Sequence, residues 1–303
     1  MSIESQPHSQ QIVRRAFVLL SGGMDSTTCL HKAIHDYAPK SGSIYDDSAM
    51  VQNAMDMAAV SWVEAISIDY GQRHKKEMEY AKATCEKFGI KHTILDIGNI
   101  LSGKSVMLTQ EGADAGVAVP DISYSDIKGV SPTYVPFRNG TLLSAITAHA
   151  QKWVNEGQQV KDAEPSLDRE MNRTTVMAHV EKREAGIYFG AHSEDAQNWA
   201  YPDCTPEFIG AMANAIYIGT YHAIRLHAPL QWLNKAEIVK LGYELNVRFE
   251  DTWSCYKGES YQCGKCPTCL SRIEAFKIAG VPDFTTYESH LTPYDPKSGD
   301  VPF

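Results

Sequence analysis

Two groups of residues in this sequence have the types and spacing to do chemistry. The first is Ser21-Gly22-Gly23-Met24-Asp25-Ser26, "SGGMDS", which follows the apolar run "RAFVLL" at 15–20 and precedes a helical pattern at 26–37. A strand, a small-residue turn and a helix make an anion site. Glycines let the backbone approach, and the orphan N–H groups at the helix start point at a negative ligand. The hydroxyls of Ser21, Ser26 and Thr27 add donors. The turn matches neither G-x-x-x-x-G-K-[ST] nor G-x-G-x-x-G. The second group is Cys255, Cys263, Cys266 and Cys269. Two successive C-x-x-C steps bring thiolates around one tetrahedral ion, and Cys255 closes the set across "YKGESYQ". Four thiolates leave no open position, so the metal is expected to be structural, with zinc first. The spacing by itself also admits an iron–sulfur cluster.

The elements that position these groups follow an α/β rhythm. Strands are expected at 15–20, 62–69, 91–97 and 186–192. Helices are expected at 26–37, 74–88, 139–154, from Pro206 onward with Thr205 as cap, at 234–242 with Asn234 and Glu237 as a capping box, and at 267–279. Alternation of this kind predicts a parallel twisted sheet with helices on both faces. Residues 98–136 are expected to be mostly loop. The polar stretches 38–60 and 155–184 are far longer than ordinary connections and are expected to be insertions. The chain divides into a main domain over 12–245, a cysteine-bearing region over 246–282 and a tail over 283–303.

The 303 residues can bury a core without disulfides. The polar start "MSIESQPHSQQIVRR" has no secretory apolar core, and no apolar run reaches about 18 residues. A cytoplasmic protein away from membranes is expected, where bunched cysteines bind metal rather than form disulfides. Cys29 and Cys85 fall in helices and are expected to be small buried hydrophobes. A net charge of −9 argues against a nucleic-acid-binding face. The charges near the cysteines, Lys257, Lys265 and Arg272 against Glu259 and Glu274, give a zinc-knuckle nucleic-acid module little support.

"SGGMDS" resembles the SGGxDS signature of the N-type ATP pyrophosphatases, the PP-loop family. The resemblance implies an adenine nucleotide alpha hydrolase-like, Rossmann-like fold that splits ATP, with Mg²⁺, between the α and β phosphates. It assigns Leu20, Ser21, Gly22, Gly23, Met24, Asp25, Ser26, Thr27 and Thr28 to the phosphates, with Asp25 fixing the loop or the Mg²⁺. It assigns "DYGQRH" at 69–74, with Tyr70 and Arg73, to the adenosine. Three further strings are "GVSPTYVPFRNGTLLS" (129–144), "YFGAHSEDAQNWAYPDCTPEFIGAMANA" (188–215) and "TWSCYKGESYQCGKCPTCLSR" (252–272). They resemble the 7-cyano-7-deazaguanine synthase family over nearly the whole chain apart from the two insertions and the ends. That implies 7-carboxy-7-deazaguanine, ATP and ammonia as substrates, an adenylated carboxylate, an amide, an adenylated amide and a nitrile product, and a homodimer with structural Zn²⁺.

In that scheme Arg138 neutralises the substrate carboxylate or the α-phosphate, and Lys235 meets charge developing on the α-phosphate. Asn139 supports the loop or the base, Asp203 accepts from the guanine-like edge, and Tyr201 or Trp199 stacks on the flat ring. Each has a structural alternative: a carboxylate partner for Arg138, a turn for Asp203, core for Tyr201 and Trp199, and solvent for Lys235. His192, Glu194 and Asp195 are catalytic or supporting rather than a metal triad. An amide-stopping or acyl-transferring ligase and a tRNA thiolase are competing end points.

Overall fold

The sheet begins with Ile12–Leu19 (β1), whose inner half alternates between two cores. Ala16, Val18 and Leu20 face one side and Phe17 faces the other. The computed structural model describes residues 12–37, 62–72, 75–103, 108–116, 131–158, 182–196, 199–257 and 260–288. Among these, Met24–Tyr37 (α1) follows β1, then Val63–Asp69 (β2), Lys76–Phe88 (α2), Lys91–Asp96 (β3) and the short Gln110–Asp114 (α3). Next come Arg138–Gln158 (α4), Lys182–Tyr188 (β4), the single turn Ser193–Ala196 (α5) and Pro206–Gly219 (α6). Ile224–His227 (β5), Lys235–Glu244 (α7) and Pro267–Ala279 (α8) complete the set.

The five strands are all parallel in the order β3-β2-β1-β4-β5. Because the order reverses between β1 and β4, the connections diverge there and leave a crevice at the carboxyl ends of those strands. Helices cover both faces. Leu30, Ile34, Ala81, Cys85 and Ile238 pack one face with β1 and β2, and Leu143, Ile146, Val154, Ile209 and Ile216 pack the other. Cys29 and Cys85 are buried apolar fillers, and burial raises both thiols.

Several boundaries differ from the sequence expectation. α1 starts at Met24 rather than Ser26. The fourth strand occupies Lys182–Tyr188 rather than 186–192. Its polar first half pairs with β1 from Ile12↔Lys182 onward, so the backbone ladder, not side-chain hydrophobicity, places the strand. Helix α4 runs on to Gln158, which narrows the second irregular stretch to 159–181. That remainder and the whole of 38–60 lie outside the described residues. No helix among the described residues is long and apolar enough to cross a membrane.

One charge lies inside the sheet. Glu64 on β2 is 2% exposed and accepts from Thr93 Oγ1 at 2.8 Å and Lys91 Nζ at 3.0 Å, with His149 Nε2 at 2.9 Å and Arg15 Nη1 at 3.5 Å. Burial works to raise its pKa, but Lys91, His149 and Thr93 outweigh burial and lower it. Its contribution to stability is therefore fully present above the ordinary glutamate value of about 4.3 and is lost as pH falls through the lowered folded value. Glu64→Ala removes the buried acceptor of Thr93, Lys91 and His149, and urea titration is expected to show a loss of about 1–3 kcal/mol at neutral pH that shrinks in acid.

Candidate active site

The carboxyl end of β1 delivers its chain into the crevice as the turn Ser21–Gly23 and the first residues of α1. The turn is braced from within. Ser26 Oγ donates to Gly23 O at 3.1 Å and lies 3.0 Å from Ser21 Oγ, and the Gly23 N–H points at Ser21 Oγ at 3.4 Å. Gly22 has φ +90°, and a Cβ there would lie 2.1 Å from Glu77 O, so only glycine lets the first turn of α2 seat on the loop. The Trp253 N–H donates to Gly22 O at 2.9 Å and ties the cysteine region to the same turn.

A cavity of about 270 Å³ opens over this turn. Leu20, Ser21, Gly23, Met24, Asp25, Ser26, Tyr70, Arg138, Asn139 and Lys235 all line it. Thr27 and Thr28 are buried on α1 away from it, the Thr28 hydroxyl donating to Met24 O at 2.9 Å. Arg73 lies outside the described residues.

Two charged clusters face this cavity. In the first, Lys235 Nζ donates to Asp25 Oδ2 at 2.6 Å. Buried His192, from the segment after β4, lies 3.6 Å from the same oxygen and 3.2 Å from Asp195 Oδ2. Burial alone raises the Asp25 pKa, but Lys235 and His192 overcome it and hold the carboxyl well below the usual range. Burial likewise pulls Lys235 down, and Asp25, Asp195 and Glu194 more than restore it. Lys235 is therefore an ammonium fixed at the mouth of the turn. It is the first residue of α7, which is held by the Asn234–Glu237 capping box, and its N–H donates to Glu194 Oε1 at 3.1 Å. Asp25 Oδ1 is buried with no hydrogen-bond partner among the described residues.

The second cluster joins Arg138 at the start of α4, Tyr70 after β2 and Glu77 in the first turn of α2. Burial raises Tyr70 while Arg138 opposes it, and burial raises Glu77 to about 7 against the same guanidinium. Glu77 was not among the residues expected from sequence. An acidic residue in a first helical turn is ordinary dipole chemistry, and its position over the loop comes only with the tertiary fold.

The "YPDC" residues hold the far wall. Asp203 Oδ2 accepts the Asn139 N–H at 2.9 Å, placing an acid at the start of α4, and Asn139 Nδ2 donates to Asp203 O at 3.2 Å. Asp203 does not line the cavity. Its pKa is raised by burial, with Asn139 and Arg138 opposing. The Tyr201 hydroxyl meets Ser131 and Thr133 within the protein, whereas Trp199 is 67% exposed with φ 58°. Asp203 thus anchors Asn139 and the start of α4, from which Arg138 and Asn139 reach the cavity.

Cys255, Cys263, Cys266 and Cys269 are all buried, with sulfurs within 4.8 Å of one another and Cys263 and Cys269 at 3.9 Å. Bonds of about 2.3 Å from one tetrahedral ion set sulfur separations of roughly 3.8 Å, so the set fits a single metal ion. Backbone N–H groups of Lys257, Lys265 and Cys266 approach these sulfurs at 3.3–3.4 Å, as expected around thiolates. Arg272 is buried on the same element. It donates to Thr252 Oγ1 and Thr285 Oγ1 at 2.7 Å and to Phe249 O at 2.8 Å, which removes it from any basic face. Cys255, Tyr256 and Thr268 line the cavity, so the cysteine knuckle forms part of its wall.

A parallel sheet whose first strand passes through SGGMDS into a helix, with Lys and Arg converging on that turn, defines an α/β protein of the PP-loop class. The chain belongs to the QueC family: the family described as queuosine biosynthesis protein QueC matches residues 41–160 and 173–280. Among similar proteins is the 7-cyano-7-deazaguanine synthase of Marinomonas sp., 34% identical over 276 residues, covering 91% of this chain and 99% of the relative. The enzymes of that name from Caldicellulosiruptor bescii, 35% identical over 277 residues, and Thermoplasma volcanium, 34% over 283, each match 91% of this chain and cover 99% and 92% of their own lengths. A distant likeness, with TM-score 0.35 and 14% identity, spans 88% of this chain and 65% of the U34-tRNA thiolase NcsA from Methanococcus maripaludis with its [4Fe-4S] cluster.

Proposed function

We propose that this chain is a cytoplasmic 7-cyano-7-deazaguanine synthase, turning 7-carboxy-7-deazaguanine, ammonia and ATP into the nitrile. The observation that carries the reading is one cavity in which the SGGMDS turn, the Asp25–Lys235 pair and Arg138 face a common space. Such a space suits a reaction between two anions, ATP and a carboxylate. The hydroxyls of Ser21 and Ser26 and the opening N–H groups of α1 receive the pyrophosphate end. Lys235 stabilises negative charge growing on the α-phosphate, and Arg138 presents its planar fork to the carboxylate. Asp25, at the start of α1, would hold Mg²⁺, which would supply charge neutralisation at the phosphates. Adenylation makes a poor leaving oxygen a good one. It serves first for attack by ammonia and then for loss of the amide oxygen. The four-cysteine set favours Zn²⁺, because its tight spacing suits one ion rather than a multi-iron cluster.

Mass spectrometry of a reaction with the acid, ATP, Mg²⁺ and an ammonium salt tests this. Nitrile and AMP are expected, and both are expected to vanish with Asp25→Ala. Accumulated amide with no nitrile would convert the reading to an amide-forming ligase. Folded, metal-loaded protein that releases no AMP would end it.

A further inference from the structure

The reaction proposed above combines two anionic substrates with ammonia, which is almost entirely ammonium at neutral pH and in that form has no lone pair to attack with. Three acidic residues line the cavity, Asp25, Glu77 and Asp195. Asp25 is paired with Lys235 and Asp195 lies 3.2 Å from His192 Nε2. Glu77 differs from both, since no hydrogen bond or ion pair joins its carboxyl to any described residue. Its own main chain presses on the SGGMDS turn at Gly22, which fixes the side chain beside the place where the adenylate would form. Arg138, on the adjoining wall, acts on it across space without closing to an ion pair. A carboxylate held beside an anion site and outside any ion pair among the described residues is a seat for a small cation.

We infer that Glu77 binds the ammonium ion and accepts its proton, releasing ammonia next to the activated carboxyl. Ammonium gives one proton to Glu77. The freed nitrogen lone pair forms the C–N bond, the C–O bond to AMP breaks, and AMP leaves with that electron pair. A second N–H proton passes to water, as does the one held by Glu77 when the site reopens. Burial sets the carboxyl near 7, so it remains partly ionised at working pH and is a stronger base than an ordinary carboxylate. The groups facing it are Arg138 from α4 and Tyr70 after β2. Arginine stays protonated throughout this range, and burial keeps the Tyr70 phenol neutral.

Glu77→Gln keeps the shape and removes the base. Turnover of the acid with ammonium is expected to fall about 100-fold, with a raised KM for ammonium and loss of the rise in rate through neutral pH. Turnover of 7-amido-7-deazaguanine with ATP, which needs no ammonia, is expected to stay within a few-fold of wild type. Hydroxylamine, unprotonated at the same pH, is expected to restore attack on the acid adenylate, and Glu77→Asp to recover part of the ammonium rate. Equal losses on acid and amide, or no hydroxylamine rescue, would make Glu77 structural and overturn the inference. An unchanged Glu77→Gln beside an active wild type would overturn this role alone. A wild type that releases no AMP from the acid would overturn the reaction and this role together.

Discussion

Lys235→Met is expected to slow AMP release by about 10³-fold while the protein stays folded and still binds ATP. The lysine faces the turn, held by Asp25 at 2.6 Å and by the capped start of α7. A donor fixed toward charge that develops only in the transition state is worth about 10²–10³ in rate when removed, and the buried setting places this one at the upper end. The effect is expected in kcat, because on the proposed reading the turn's own N–H groups and hydroxyls still receive the nucleotide. Lys235→Arg tests geometry against charge. It retains the positive charge but replaces a point donor by a broad planar fork, so only a small part of the rate is expected to return. Without the lysine, Asp25 keeps only His192 against its burial, and its carboxyl moves back up toward the usual range. Single-turnover assays of AMP formation at saturating ATP check the prediction. A loss under fivefold, or a rise in KM with kcat unchanged, would assign Lys235 to binding or to holding Asp25 in place.

The parts of this site that were legible in the sequence are those made by contiguous residues. SGGMDS announces a turn suited to an anion because strand, glycine pair and helix start adjoin one another. The cysteines announce a set able to hold a metal because their spacing is local. Even the Asn234–Glu237 capping box lies within four residues. The roles that depend on distant partners were not legible. Asp203 is an acidic side chain near a predicted site, and nothing in "YPDC" shows that it serves the start of a helix 64 residues earlier. Tyr201 has a ring suited to stacking, yet its hydroxyl finds Ser131 and Thr133 about as far back. Arg272 counts as one surface charge until Thr252, Phe249 and Thr285 are seen to enclose it. Glu77 has the same origin: a commonplace helix-start glutamate becomes a cavity group only because glycine at position 22 lets α2 descend onto the turn.

Replacing one of the four thiolates is expected to disable the enzyme through the wall of its cavity rather than through a reacting group. Cys269→Ser leaves three thiolates, and a bound structural zinc contributes about 10–16 kcal/mol of apparent folding free energy in small metal domains. That is comparable with the whole stability of an ordinary domain, about 5–15 kcal/mol, so the cysteine region is expected to loosen rather than adjust. The consequence reaches the cavity through named contacts. Trp253 is fully buried beside the knuckle, its indole N–H bonds Cys255 O at 2.8 Å, and its own backbone N–H bonds Gly22 O in the phosphate turn. Lys76, the first residue of α2, lies over the same indole at 4.4 Å. When the knuckle opens, the turn loses a brace and α2 loses a support, so nucleotide binding is expected to weaken along with turnover. This separates the variant from Lys235→Met, in which binding persists. Elemental analysis is expected to find one zinc per chain in the wild type and almost none in Cys269→Ser, with a lower melting temperature and exposed Trp253 fluorescence. Visible absorbance from iron in the wild type would replace zinc with a cluster. A metal-free variant with wild-type melting and full turnover would show that the cavity wall stands without the ion.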